Sequence, residues 1–125
     1  MNLSRNFLLI GIVYLLVGMV LGSYMGATEN HTLAPVHAHI NLLGFTLMAI
    51  FAVVYKLYPS MSEAALATYH FWLHQLGTLI LVVGLFLMMS GMVPAATISP
   101  IFPVAEGLLI IGIAILGWNV LKNAN

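Results

Sequence analysis

The stretch FLLIGIVYLLVGMVLGSYM, residues 7–25, carries no charged side chain in nineteen positions. A helix rises about 1.5 Å per residue, so this run would be about 28 Å long, close to the roughly 30 Å hydrocarbon core of a bilayer. Three more apolar stretches follow: Val36 to Tyr58, Leu66 to Met89 and Ile101 to Leu121. The interruptions suit connections. Gly26 to Pro35 is polar, Pro59-Ser60 follows Tyr58, and Gly91 to Pro103 contains three prolines. Ser60 and Glu63 stand in capping-box spacing, which would start the third helix near residue 62. The expectation is an all-α fold: a single integral membrane domain over residues 1–125, with four transmembrane helices at about 7–25, 36–58, 62–89 and 101–121.

Composition agrees. Of the 125 residues, 62% are hydrophobic and 5% charged, with a mean hydropathy of +1.11, whereas roughly a quarter of a soluble domain is charged. A soluble globular fold is excluded. Three basic and three acidic residues give zero net charge, leaving no basic surface for phosphates, so nucleic acid is not an expected partner. The lack of cysteine rules out disulfides, thiolate zinc sites, iron–sulfur clusters and covalent c-type haem. Any metal must be held by His, Met or carboxylate.

The basic residues are Arg5 before the first span, Lys56 at the second connection and Lys122 at the end of the fourth. The positive-inside rule therefore puts both termini in the cytoplasm, with a bacterial inner membrane as the expected location. The first span is too long and lacks a convincing small-x-small cleavage site for a signal peptide, and is read as an anchor.

In lipid, helix association relies on small residues and polar contacts. Gly18, Gly22 and Gly26 follow at four-residue steps and give the first helix a small face; Gly77, Gly84 and Gly91 recur every seven residues on the third, in line with His70. Such faces serve helix contacts, and the second would also leave room for a flat macrocycle.

Five histidines stand in this apolar chain, and intramembrane ionisable groups point to function by default. His31, beside Glu29 and Asn30, reads as a solvated loop residue. His37 and His39 open the second helix two residues apart, about 200° around it, so they should face different neighbours. His70 and His74 stand at i and i+4 and share a face. All four could instead be hydrogen-bonded between helices. Counting from the basic end puts His39 roughly 25 Å above Lys56 and Glu106 roughly 24 Å above Lys122, while His74 lies roughly 16 Å above Glu63, level with Tyr14. Glu106 is therefore an expected partner for an imidazole, unless it is protonated or sits at the headgroups.

The run PVHAHINLLGF (35–45), continuing to YKLYP (55–59), resembles a helix of the haem-copper oxidase and nitric oxide reductase catalytic subunits, in which a His-x-His pair ligates two haems. HFWLHQLG (70–77) is similar to small four-helix membrane proteins described as cytochrome c oxidase subunit I-like. The resemblance implies His37 as a high-spin and His39 as a low-spin haem ligand. Full catalytic subunits have about twelve helices and an adjacent His-His pair for copper; four helices and no His-His leave b-type haem binding, not oxygen reduction, as what it implies.

Three functions follow as expectations. The first is b-type haem binding, with His39 and His74 as axial ligands to iron, His37 and His70 as alternates, and Glu106, Tyr14 and Asn41 around them. Two axial histidines would suit electron transfer; one would leave a position for nitric oxide or oxygen. The second is copper handling by His and Met, with Met88, Met89 and Met92 near the outer end of the third helix. The third is a structural or assembly subunit of a respiratory complex. A homo-oligomer or larger membrane complex is the expected setting. Hydrolase and nucleotide chemistry find no residues to work with, and whether any reaction is catalysed stays open.

Overall fold

In the computed structural model, which describes residues 1–125, every regular element is helical. Four helices are long and apolar enough to cross a membrane: α1 (Leu3–Thr28), α2 (Ala34–Leu57), α3 (Ala65–Met89) and α4 (Ile101–Asn123). Short turns of helix at Pro59–Glu63 and Ala95–Ile98 join α2 to α3 and α3 to α4. The protein is an all-α bundle of integral membrane character.

The ends differ from the expectation for local reasons. Asn2 caps α1 by accepting the Arg5 N–H at 3.0 Å, which starts this helix at Leu3. Ser60 and Glu63 do not open α3. Pro59 begins a separate five-residue helix, Ala64 is extended (φ −69°, ψ 140°), and α3 starts at Ala65. The Ser60 hydroxyl instead donates to the Asn123 carbonyl at the end of α4.

Two antiparallel pairs make the bundle. α1 runs along α2 and α3 along α4, while α2 and α3 join the pairs. Buried shares of the apolar windows reflect this order: 33% and 39% for α2 and α3, against 17% and 11% for α1 and α4. Large apolar side chains such as Val20, Ile110 and Leu121 point outward, as a lipid-embedded surface requires.

The tight core lies at the end that holds Lys56. Leu3 and Phe7 of α1, Met48, Phe51, Ala52 and Tyr55 of α2, Met61, and Ala67 and Phe71 of α3 form one buried cluster. Polar contacts tie the same end. Ser4 Oγ donates to the Ala52 carbonyl at 2.8 Å, and fully buried Asn119 donates to the Met61 carbonyl at 3.0 Å. Arg5, Lys56 and Lys122 are thereby collected at one end of the bundle.

Within α2, Ile40–Thr46 is a π-helix, and the Leu47 N–H reaches back five residues to the Leu42 carbonyl. The buried positions Val36, Ile40, Gly44 and Met48 keep a four-residue interval. At 3.6 residues per turn that interval would wind the row off the core, and the wider turn holds it in place.

Candidate functional site

The small face of α1 meets the polar start of α2. At Gly18 a side chain would run into the Asn41 amide and Ile40, and at Gly22 a Cβ would come within 2.9 Å of His37 Cε1. Residues four apart on one helix thus receive residues four apart on the other. His37 Nδ1 lies 2.9 Å from the Gly18 carbonyl, which can only accept, so Nδ1 carries the proton. Nε2 then accepts from the Asn41 amide at 3.2 Å. Both nitrogens of His37 are engaged, and Asn41 orients its ring. Asn41 Oδ1 is buried without a partner.

His70 and His74 lie one turn apart on α3, with ring centroids 6.1 Å apart and exposures of 0% and 1%. The His74 Nε2–H donates to the Leu43 carbonyl of the π segment at 3.0 Å, and Thr78 Oγ1 is 3.4 Å from the same nitrogen. His70 Nδ1 pairs with the Tyr55 hydroxyl at 2.9 Å, while its Nε2 is buried and unpartnered. Phe7 and Phe51 pack around both imidazoles, with Phe51 centroids 4.6 and 5.0 Å from His70 and His74. This region is filled by side chains. Tyr55→Phe should lower stability by about 1 kcal/mol, in the range of interhelical hydrogen bonds in membrane proteins, as read by reversible unfolding in SDS; an unchanged midpoint would mean the bond contributes nothing.

The glycine face of α3 is occupied by α4. A Cβ at Gly77 would come within 2.8 Å of Leu109 Cγ and one at Gly84 within 3.1 Å of the Phe102 ring. It serves as a helix contact, and the space suggested for a macrocycle is taken.

His39 differs from the other three. It is half-buried, and its Nδ1–H donates to the Pro35 carbonyl one turn back at 2.6 Å. Nε2 takes no hydrogen bond from the protein. The rings around His74 are Phe7, Phe51 and His70, with His39 not among them, so the axial pair suggested from sequence enters two separate surroundings. Glu106 is exposed on α4 and makes no hydrogen bond within the chain, so none of the histidines is its partner there. Tyr14 is half-buried, its ring held against Gly44. His31 is exposed, as a loop histidine should be.

A cavity of ≈ 640 Å³ is lined by ten apolar residues of α1, α2 and α3 and by no histidine. No cluster of three or more His or carboxylate side chains is gathered anywhere. Four features escaped the sequence reading: the π-helix, the Leu43 carbonyl it offers to His74, the Tyr55–His70 pair and the Asn119 link. The first had a visible signal in the four-residue spacing of Val36, Ile40, Gly44 and Met48. The others join positions distant in the chain.

Comparison with protein-family models, characterised proteins and solved structures returned no match. Residue geometry is therefore the ground for a functional reading.

Proposed function

We propose that the protein binds b-type haem in a bacterial inner membrane, with both termini cytoplasmic, and that His39 is its axial ligand. One observation carries this reading: the His39 ring is fixed through Nδ1–H on the Pro35 carbonyl, while Nε2 is left without a protein partner. Haem-ligating histidines need this division of labour, because a bond at one nitrogen sets the tautomer and orientation of the other. His37 has both nitrogens engaged by Gly18 and Asn41, and His74 uses Nε2 on Leu43. His70 Nε2 is unpartnered but packed among Phe7 and Phe51. In this reading the three tie neighbouring helices together.

The ring space around His70 and His74 is filled, so His39 would hold the group, joined in an oligomer by His39 of a second copy of the chain. Haem held in this way supplies reversible one-electron transfer. The protein's own residues position the imidazole and surround it with apolar helix surface.

The test is an optical spectrum of the full chain in detergent after haem supplementation, oxidised and reduced. A Soret band that shifts on reduction is expected, abolished in His39→Ala and retained in His74→Leu. No Soret band, or one unaltered by His39→Ala, would overturn the reading. Copper in the purified protein without iron would point to the His and Met alternative.

A second reading rests on the other histidines. His37, His70 and His74 all hydrogen-bond to a neighbouring helix of the same chain, and histidines used in this way leave a structural or assembly subunit of a respiratory complex as the alternative. A protein without a haem spectrum whose partner association fails in His37→Ala would favour it.

A further inference from the structure

α4 packs through one face and leaves another bare. Its buried positions are Ala105, Gly112 and Asn119, at seven-residue steps, with Ala105 and Gly112 against Gly77 and Leu73 of α3. One residue further along, about 100° around the helix, Glu106, Ile110, Ile113 and Gly117 follow at intervals of four, three and four. All are exposed, Ile110 by 69%. Those intervals are the spacing of a seam between two helices that pack as a left-handed pair.

Two features separate this seam from ordinary lipid-facing surface. Glu106 is the first. It lies roughly 24 Å above Lys122 at about 1.5 Å per residue, and Lys122, stacked over the Trp118 ring at 5.1 Å, marks the membrane boundary. In a hydrocarbon core of roughly 30 Å this places the carboxyl about 6 Å inside the far edge. Lipid tails give it no hydrogen-bond partner, and ionisable groups at such depth face protein. Its own chain supplies none. Gly117 is the second feature. At Gly18, Gly44, Gly77 and Gly112 an added Cβ would come within 3.4 Å of a neighbouring helix, whereas at Gly117 nothing lies within 4 Å. Small residues in membrane helices serve close approach, and the chain brings no helix to this one.

We propose that the exposed seam of α4 pairs with the same seam of a second copy of the chain, the two Glu106 carboxyls hydrogen-bonded to each other across a two-fold axis. Copies inserted in one orientation meet in parallel, so each seam residue faces its counterpart. A carboxyl suits that symmetry: with a proton shared between two, one donates and the other accepts. Ile110 and Ile113 pack beside the pair, and Gly117 lets the backbones close. A lone polar pair on such a seam also fixes its register. The proposal specifies the oligomer expected of this protein and does not rest on haem binding.

The chain has no cysteine, so single introduced cysteines report neighbours directly. The test is oxidation with copper phenanthroline of the full chain, without added haem, in phosphatidylcholine vesicles at low protein density. Ile110→Cys should give a disulfide-linked dimer. Ile111→Cys, 53% exposed but turned off the seam, should give about tenfold less. Adding Glu106→Leu to the Ile110→Cys chain should reduce the dimer about tenfold, the effect of losing an interhelical hydrogen-bonded pair. Glu106→Gln, whose amide also donates and accepts, should retain it. The altered positions are exposed, and unaltered helical circular dichroism shows that the variants fold. No crosslinking, equal crosslinking at the two isoleucine positions, or a dimer indifferent to Glu106→Leu would overturn the proposal.

Discussion

Phe7→Ala is expected to lower the stability of the bundle by about 3 kcal/mol, the loss typical of truncating a well-packed phenylalanine. Phe7 is 0% exposed and stands where α1, α2 and α3 meet. Its ring centroid lies 5.4 Å from Phe51 and 4.8 Å from Phe71, both edge-on, and 5.9 Å from Tyr55 in a stacked pair. In lipid the transfer of a phenyl group away from water contributes little to helix association, so the loss is one of contact and aromatic geometry. The cavity would also loosen the walls around His70, 5.5 Å from the same ring. Reversible unfolding in SDS measures the effect. A loss below about 1 kcal/mol would mean that the three helices are held together elsewhere.

The second large effect is expected at Gly18. Gly18→Leu would drive a side chain into Asn41 and Ile40, and α1 would have to move off α2. The move breaks the 2.9 Å bond between His37 and the Gly18 carbonyl and leaves an imidazole proton unpartnered in the membrane. Overpacking costs about 1–3 kcal/mol and an interhelical hydrogen bond about 0.6–1.7 kcal/mol, for a combined loss of roughly 2–4 kcal/mol. Gly18→Ala should fall between the two forms. Gly26→Leu is the control, since nothing lies within 4 Å of a Cβ there. If the Gly18 and Gly26 leucine variants unfold alike in SDS, the close approach of α1 and α2 does not contribute to stability.

The four spans were legible because lipid imposes a strong condition on sequence: about twenty residues without charge. Phe7 to Met25 and Leu66 to Met89 meet it without a charge, while Val36 to Tyr58 carries Lys56 close to its end and Ile101 to Leu121 carries the single charge of Glu106. The start of α3 was misread because Ser60 and Glu63 have the spacing of a cap, while Pro59 and the extended Ala64 decide the local path. For the histidines, opposite faces for His37 and His39 and a shared face for His70 and His74 followed from helix geometry alone. What each imidazole bonds to did not. The Leu43 carbonyl is available through a change of helical turn, and Tyr55 reaches His70 across the α2–α3 packing. Glu106 was assigned a depth by counting along α4, but counting gives height and not direction, and its side chain faces outward.

The wide turn at Ile40–Thr46 has a consequence for how α2 tolerates changes of length. An ordinary helix that loses one residue rotates everything beyond the deletion by about 100°, which would carry Met48 and Phe51 away from Phe7. Here surplus backbone is already stored in the middle of the span. Deleting Leu42 would let the segment tighten to ordinary winding and leave both flanks in register, with Met48 and Phe51 still against Phe7 and His37 still against Gly18. The wide turn is thus a reserve of one residue, through which α2 can shorten while both of its halves keep their partners.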